Sequence, residues 1–429
     1  MAPTKQAESA NNAKSGRDSA RASVVAVPRA WLAGLTALVV VPWLIVSAVY
    51  FSPPDSTAEE GAGEPAASVA AGSGPWGRLE ITPIIVSPPL EYVSDDWGRE
   101  DKPDQWMFPG VSREELQAFL LAAGFTADQT ARIVTSARPD PPTGGLVIMP
   151  DSELVRSLAP EVRGRLYTQL AKTRLNFDQM NSFRFFGDSA AWLNGSLISP
   201  ATRRILEPLF YRDGEFLHFA DPELVRAQVK DPAELRRVAK TLLRQSTMLV
   251  RLSVGEESEV SGLVEYWGCG GRRTDLRPLL ESMAGRGSPS IDIAHLLPAF
   301  ARNHLYRYPK PTTADFDLPL LANCLWTALN FFSIELDNRF LDVNVAVETL
   351  KRDYFVVKSG FQLGDVLSLT DENGHLFHVA VYIADGLVFP KNGTSPVSPW
   401  IIMPVERLKA YYRGRSSSPQ LVYHRHGRL

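Results

Sequence analysis

From Trp31 to Phe51 the chain runs twenty-one residues without a charged side chain, broken only by Pro42. A helix of that length crosses a hydrocarbon core of about 30 Å. Residues 1–30 carry five basic and two acidic side chains, whereas Asp55, Glu59, Glu60 and Glu64 follow the run, with no basic residue before Arg78. Positive charge on the leading side predicts a cytoplasmic N-terminus and an extracytoplasmic, periplasmic bulk. Val46-Ser47-Ala48 offers a signal-peptide cleavage site as the alternative, but both the apolar run and the segment before it are long for one. The expectation is a retained single-pass membrane anchor over 31–51.

The stretch 52–75 is small, acidic and rich in Pro and Gly, and predicts a disordered linker. In 76–104, LEITPIIVSPPLEYV is apolar but interrupted by three prolines. Proline donates no ladder hydrogen bond, so this reads as an extended arm lying on the folded body rather than a central strand. The 45 basic and 48 acidic residues nearly cancel, which leaves no charge argument for a nucleic-acid partner. Two cysteines are too few for a disulfide framework.

Residues 105–254 predict a mostly helical domain. Ser112 with Glu115 and Thr126 with Gln129 form two capping boxes around Gly124, which predicts helices over 113–123 and 127–137. Outside the cytoplasm such a pair is expected to pack rather than bind DNA. GLVIMP (145–150) and TMLVRLSV (247–254) read as strands. Helices are expected at 152–158, at 161–172, after Ser199-Pro200, after Asp221-Pro222 and after Asp231-Pro232. The domain offers no metal-ligand spacing and no phosphate-binding loop. It has a lone His218, and Asn194-Gly195-Ser196 is a glycosylation sequon of a kind that arises often by chance.

The region 255–429 carries the chemistry. Trp267-Gly268-Cys269-Gly270-Gly271-Arg272-Arg273 reads either as an anion site built on two guanidiniums or, more simply, as a glycine-rich loop before a helix. PLLANCLWTALNFF (319–332) sets Cys324 behind Asn323, a favoured helix N-cap. A helix start lowers a thiol pKa. GDVLSL (364–369) and HVAVYIADGLVFPKNG (378–393) follow as strands. With the closing PWIIMPVERLKAYY and LVYHRH, this order resembles the NlpC/P60-like superfamily of papain-fold cysteine hydrolases, over roughly residues 300–426.

The resemblance implies an α+β fold with a helix packed on a small antiparallel sheet. It implies Cys324 as nucleophile, His378 as base and then acid, and an amide of a cell-wall peptide as substrate. Asn323-Cys324-Leu325-Trp326 departs from the family's Asp-Cys-Ser-Gly. The family's third residue falls at Pro390, so Asn392 is the candidate to orient the imidazole, ahead of Lys391, which has no acceptor. His375, after Asn373-Gly374, is expected to be exposed. Asp365 is expected to close a turn, and Trp326, Phe331 and Phe332 to be core. No cofactor or metal is called for. Three alternatives stay open: a catalytically inactive binding module, a lipid acyltransferase or thioesterase, and a Cys269–Cys324 disulfide that would disable the nucleophile.

Overall fold

A computed structural model of the chain describes residues 69–93, 105–286, 290–309, 322–395, 397–413 and 418–429. The tail at 1–30, the predicted span at 31–51 and the linker as far as residue 68 lie outside the described residues. Among those described, no helix is long and apolar enough to cross a membrane. The fold is mixed α+β, and each of the four sheets among the described residues is antiparallel.

Two expectations for the N-terminal part are corrected. The end of the expected linker forms strand β1 (Val69–Gly74), and the expected arm contains strand β2 (Gly77–Val86). With β9 (Gln245–Ser253) and β10 (Ser290–Asp292) they make a sheet ordered β1-β2-β9-β10, so β2 is internal. Proline is tolerated there for a local reason. Pro83 pairs with Met248, and the Met248 N–H donates away from β2, to the Ile402 carbonyl at 3.1 Å. The Pro83 position is therefore a non-hydrogen-bonded pair whose missing N–H leaves no gap in the β2–β9 ladder. Its other side is free of β1, which stops at the Ile81 register.

Between β2 and β9 lies a helical lobe with a core of its own, running from Val93 to Leu242. Both capping boxes form, on helices Arg113–Ala122 and Ala127–Ser136. The lobe also holds two three-stranded sheets. One joins β3 (Trp106–Phe108), β4 (Arg138–Asp140) and β5 (Gly145–Ile148). The other joins β6 (Phe183–Phe186), β7 (Tyr211–Asp213) and β8 (Phe216–Phe219), which its aromatic-rich segments did not announce. His218 is buried on β8, bonded to Ser182 Oγ at 2.9 Å, with burial holding its imidazole down at about 3.

The second core joins β2, β9 and the helices of 260–304 to the C-terminal sheet. That sheet has six strands in the order β11-β16-β12-β13-β14-β15. They are β11 (Tyr354–Val357), β12 (Val366–Thr370), β13 (Leu376–Ala384), β14 (Leu387–Phe389), β15 (Met403–Pro404) and β16 (Gln420–His426). Successive side chains of a strand alternate between faces. On β13, Val379, Val381 and Ile383 enter the core shared with helix Cys324–Leu329. Ala380 and Tyr382 enter a third core, under helix Val405–Tyr411. Thr247 ties the two large sheets together: its hydroxyl donates to the Ile402 carbonyl and accepts from the Ile402 N–H, both at 2.9 Å.

Candidate active site around Cys324

Asn323 caps the Cys324 helix through a hydrogen bond from the Trp326 N–H to its side-chain oxygen, 2.9 Å long. The helix runs only to Leu329, because Asn330 turns the chain: its side chain donates to the carbonyls of Trp326 and Asp337 and accepts from the Asp337 N–H at 2.8 Å. Trp326 and Phe331 are core, as expected. Phe332 wedges between the glycine-rich loop and the start of β12, where a Cβ on Gly270 or Gly364 would overlap its ring. Both glycines have positive φ, so each position requires glycine on conformation as well as on space.

Cys324 is half-buried at the edge of β13. β14 leaves β13 after the Val381–Phe389 pair, which frees the backbone N–H of Val379 to point at the thiol. Burial pushes the thiol pKa up. The N–H groups of Val379, Leu325 and Cys324 itself, and then the charge of Lys391, partly offset that rise. The thiol is therefore protonated at neutral pH and is held among donors that favour its anion.

The expected base is elsewhere. His378 pairs directly across the ladder with Leu369, and directly paired side chains share a face, so His378 lies on the face of the third core. Its ring stacks on Tyr412, centroids 4.3 Å apart. Its Nε2 is buried without a hydrogen-bond partner, and burial holds the imidazole down at about 3. Asn392 lies on that same side: its amide donates to Met403 Sδ at 3.8 Å, and its oxygen accepts from the Tyr412 hydroxyl at 3.5 Å. The structure thus gathers His378 and Asn392 around Tyr412 and separates both from Cys324. The expected Cys324–His378–Asn392 arrangement is corrected. The physical reason is the two-residue period of β13, which puts Val379 and His378 on opposite faces. His375 is exposed and bonds Asp371, as expected of a turn residue.

Sequence reasoning passed over Lys391 for its lack of an acceptor. It is fully buried, and its ammonium donates to the carbonyls of Gly393 (3.1 Å) and Ser395 (2.8 Å). The ammonium also lies 5.4 Å from the centre of the Trp400 ring. Burial pushes its pKa down to about 7, opposed by the Cys324 sulfur. The one signal for it in sequence was a charged residue directly after the apolar run LVFP.

The remaining candidates have structural roles. Arg272 spends its guanidinium on the carbonyls of Cys269, Leu296 and Trp267, and Arg273 pairs with Glu265 on the surface. The glycine-rich loop is therefore a brace rather than an anion cradle. Cys269 and Cys324 are both free thiols. Asp365 closes the turn before β12 by accepting from the Gln362 N–H, and it pairs with Arg425 at 2.7 and 2.8 Å. No group of His, Cys, Asp and Glu that could hold a metal ion occurs among the described residues. No family model matches the chain, and neither a curated protein nor a solved structure shows significant similarity to it.

Proposed function

We propose that the C-terminal region is a thiol hydrolase of NlpC/P60-like kind, held to a membrane by the span at 31–51 with its bulk outside the cytoplasm. The observation that carries this reading is the seat of Cys324. Its thiol lies at an opened strand edge, faced by the backbone N–H groups of Val379 and Leu325. Donors fixed around a sulfur also suit the oxyanion that forms when that sulfur adds to a carbonyl. In this chemistry Sγ attacks an acyl carbon, the amine leaves, and water releases the acid from the thioester. A peptide amide of the cell wall is the substrate class that suits the proposed location. Lipid esters and thioesters are the competing class for the same nucleophile.

The test compares the full-length protein with Cys324→Ala on peptide amides and on acyl thioesters. Turnover on amides that falls to background in the variant is expected. Turnover on thioesters alone would move the assignment to lipid acyl transfer.

A second reading has an observation of its own. With His378 stacked on Tyr412 on the far face, the domain would bind rather than cleave, as an inactive module on a hydrolase-like scaffold. Turnover no higher than background in both wild type and Cys324→Ala, on both substrate classes, would select it.

A further inference from the structure

Three features converge on one side of β13. Extending the Val381–Phe389 register by two residues on each strand brings Lys391 opposite Val379, whose N–H points at Cys324. β14 has ended by then, and Lys391 bridges instead to Trp400. Trp400 in turn donates its indole N–H to Thr327 Oγ1 at 2.9 Å, one helical turn beyond Cys324. The same indole that lies beside the Lys391 ammonium therefore fixes the helix carrying the thiol. Lys391 makes no ion pair among the described residues, and two backbone carbonyls account for only two of its three N–H directions. A buried lysine without a carboxylate is costly to keep charged, and in this setting it can hold a lone pair instead.

We infer that Lys391 is the proton acceptor for Cys324, in place of the histidine that the sequence order suggested. The inference rests on the thiol-hydrolase reading and names its base. The neutral amine of Lys391 takes the Sγ proton as sulfur bonds to the acyl carbon and the carbonyl π pair moves to oxygen. When that pair returns, the C–N bond breaks and the Lys391 ammonium gives its proton to the departing amine. Water then adds to the thioester carbon and passes a proton to Lys391. The C–S bond breaks, and the thiolate recovers its proton from Lys391. No oxidant or cofactor enters the balance.

Apart from the pair itself, the titratable groups packed against Trp400 among the described residues include His304, which stands edge-on to the ring at 4.6 Å and is held low by burial, Tyr306, whose N–H bonds the Trp400 carbonyl while burial pushes its phenol up, and Arg307, exposed on the same segment. The charge that acts on Lys391 is that of the Cys324 sulfur. A lysine titrating near neutrality is thus expected to govern thiol reactivity.

The experiment is the rate of iodoacetamide labelling at Cys324 against pH, read by peptide mass spectrometry. It uses full-length wild type, Lys391→Met and Lys391→Arg, alongside turnover on the peptide amide. The wild-type rate is expected to bend near pH 7, and the bend to vanish in both variants with at least a tenfold fall at pH 7.5. Arginine keeps the positive charge but cannot act as a base, so fast labelling in Lys391→Arg would reduce the role to electrostatics and overturn the inference. A wild-type profile that simply follows an unperturbed thiol, near pH 8.5, would overturn it without reference to any variant that folds poorly. A bend that depends on Lys391 without turnover on any acyl substrate would leave the proton pair standing and sink the hydrolase reading. Turnover with no bend would do the reverse.

Discussion

The two faces of the six-stranded sheet make opposite uses of buried polar groups. On the Cys324 side, a thiol and a lysine share a strand edge with backbone N–H groups, an indole and two carbonyls, so each polar atom has company. On the far side, among the described residues, His378 stacks on Tyr412 with its Nε2 unpartnered, and the Asn392 side chain makes long contacts to Met403 and Tyr412. A buried polar group gains little unless its partners are in place. The first face surrounds a buried thiol and a buried lysine with hydrogen-bonding partners, as the proposed proton transfer requires. The second is arranged for packing and carries a histidine that neither gives nor receives a hydrogen bond at Nε2.

The largest effect that can break this contrast comes from Trp400. It is 4% exposed, lies beside the Lys391 ammonium and bonds the Cys324 helix. Trp400→Ala is expected to cost about 3–5 kcal/mol of stability, the usual range for emptying a core aromatic site. It should also slow Cys324 labelling under conditions where the protein is still folded. Urea unfolding midpoints give the first quantity, and labelling below the transition gives the second. Loss of stability with unchanged labelling would mean that Trp400 is core alone and that the two faces differ less than described.

A smaller effect is expected from Gly364→Ala. Gly364 has a φ of 95°, and its missing side chain leaves room for Phe332 at the end of the Cys324 helix. Backbone strain and overpacking together predict a loss of about 2 kcal/mol or more. Because Phe332 belongs to the Cys324 side, labelling of Cys324 should change while the near-ultraviolet signal from Tyr412 and its neighbours stays as it was. A wholesale change in both signals would show that the faces are not independent.

What could be read in the sequence follows the range of the forces involved. Caps act within four residues, and the boxes at Ser112–Glu115 and Thr126–Gln129, the Asn323 cap and the Asp365 turn all stood where local chemistry put them. The mixed α+β class was expected too, through the family resemblance of the C-terminal region rather than through periodicity. β2 was not: its prolines spoke against a ladder, and only the Met248–Ile402 bond explains why Pro83 is harmless. The face of His378 was half legible. The alternation in HVAVYI separates His378 from Val379, but which of those faces receives the Cys324 helix is a matter of tertiary packing. Lys391 was hidden for a related reason. A Lys-Asn-Gly run reads as an exposed turn, and its burial depends on Trp400 arriving from a separate segment.

The smallest predicted change in stability is the sharpest test of the comparison. In His378→Leu the orphaned Nε2 disappears from a buried site and the volume is nearly kept. Stability at pH 7 should therefore change by less than about 1 kcal/mol, or rise. Turnover and Cys324 labelling should match wild type within about twofold, since nothing connects the imidazole to the thiol. The pH dependence carries more information. The imidazole is held at about 3 in the folded chain, against 6.5 for the reference value. The unfolded chain thus binds a proton that the folded chain refuses between those limits. Stability should rise with pH across that window, reaching its full value above about 6.5 and falling as pH drops toward 3. His218, likewise held at about 3, adds a parallel slope. Removing His378 should flatten the wild-type curve by up to about 1.4 kcal/mol per pH unit within the window, the value for one proton. An unchanged curve would mean that His378 is solvated and free to turn. A His378→Leu protein that folds normally but loses all turnover would return the histidine to the chemistry and take the base role away from Lys391.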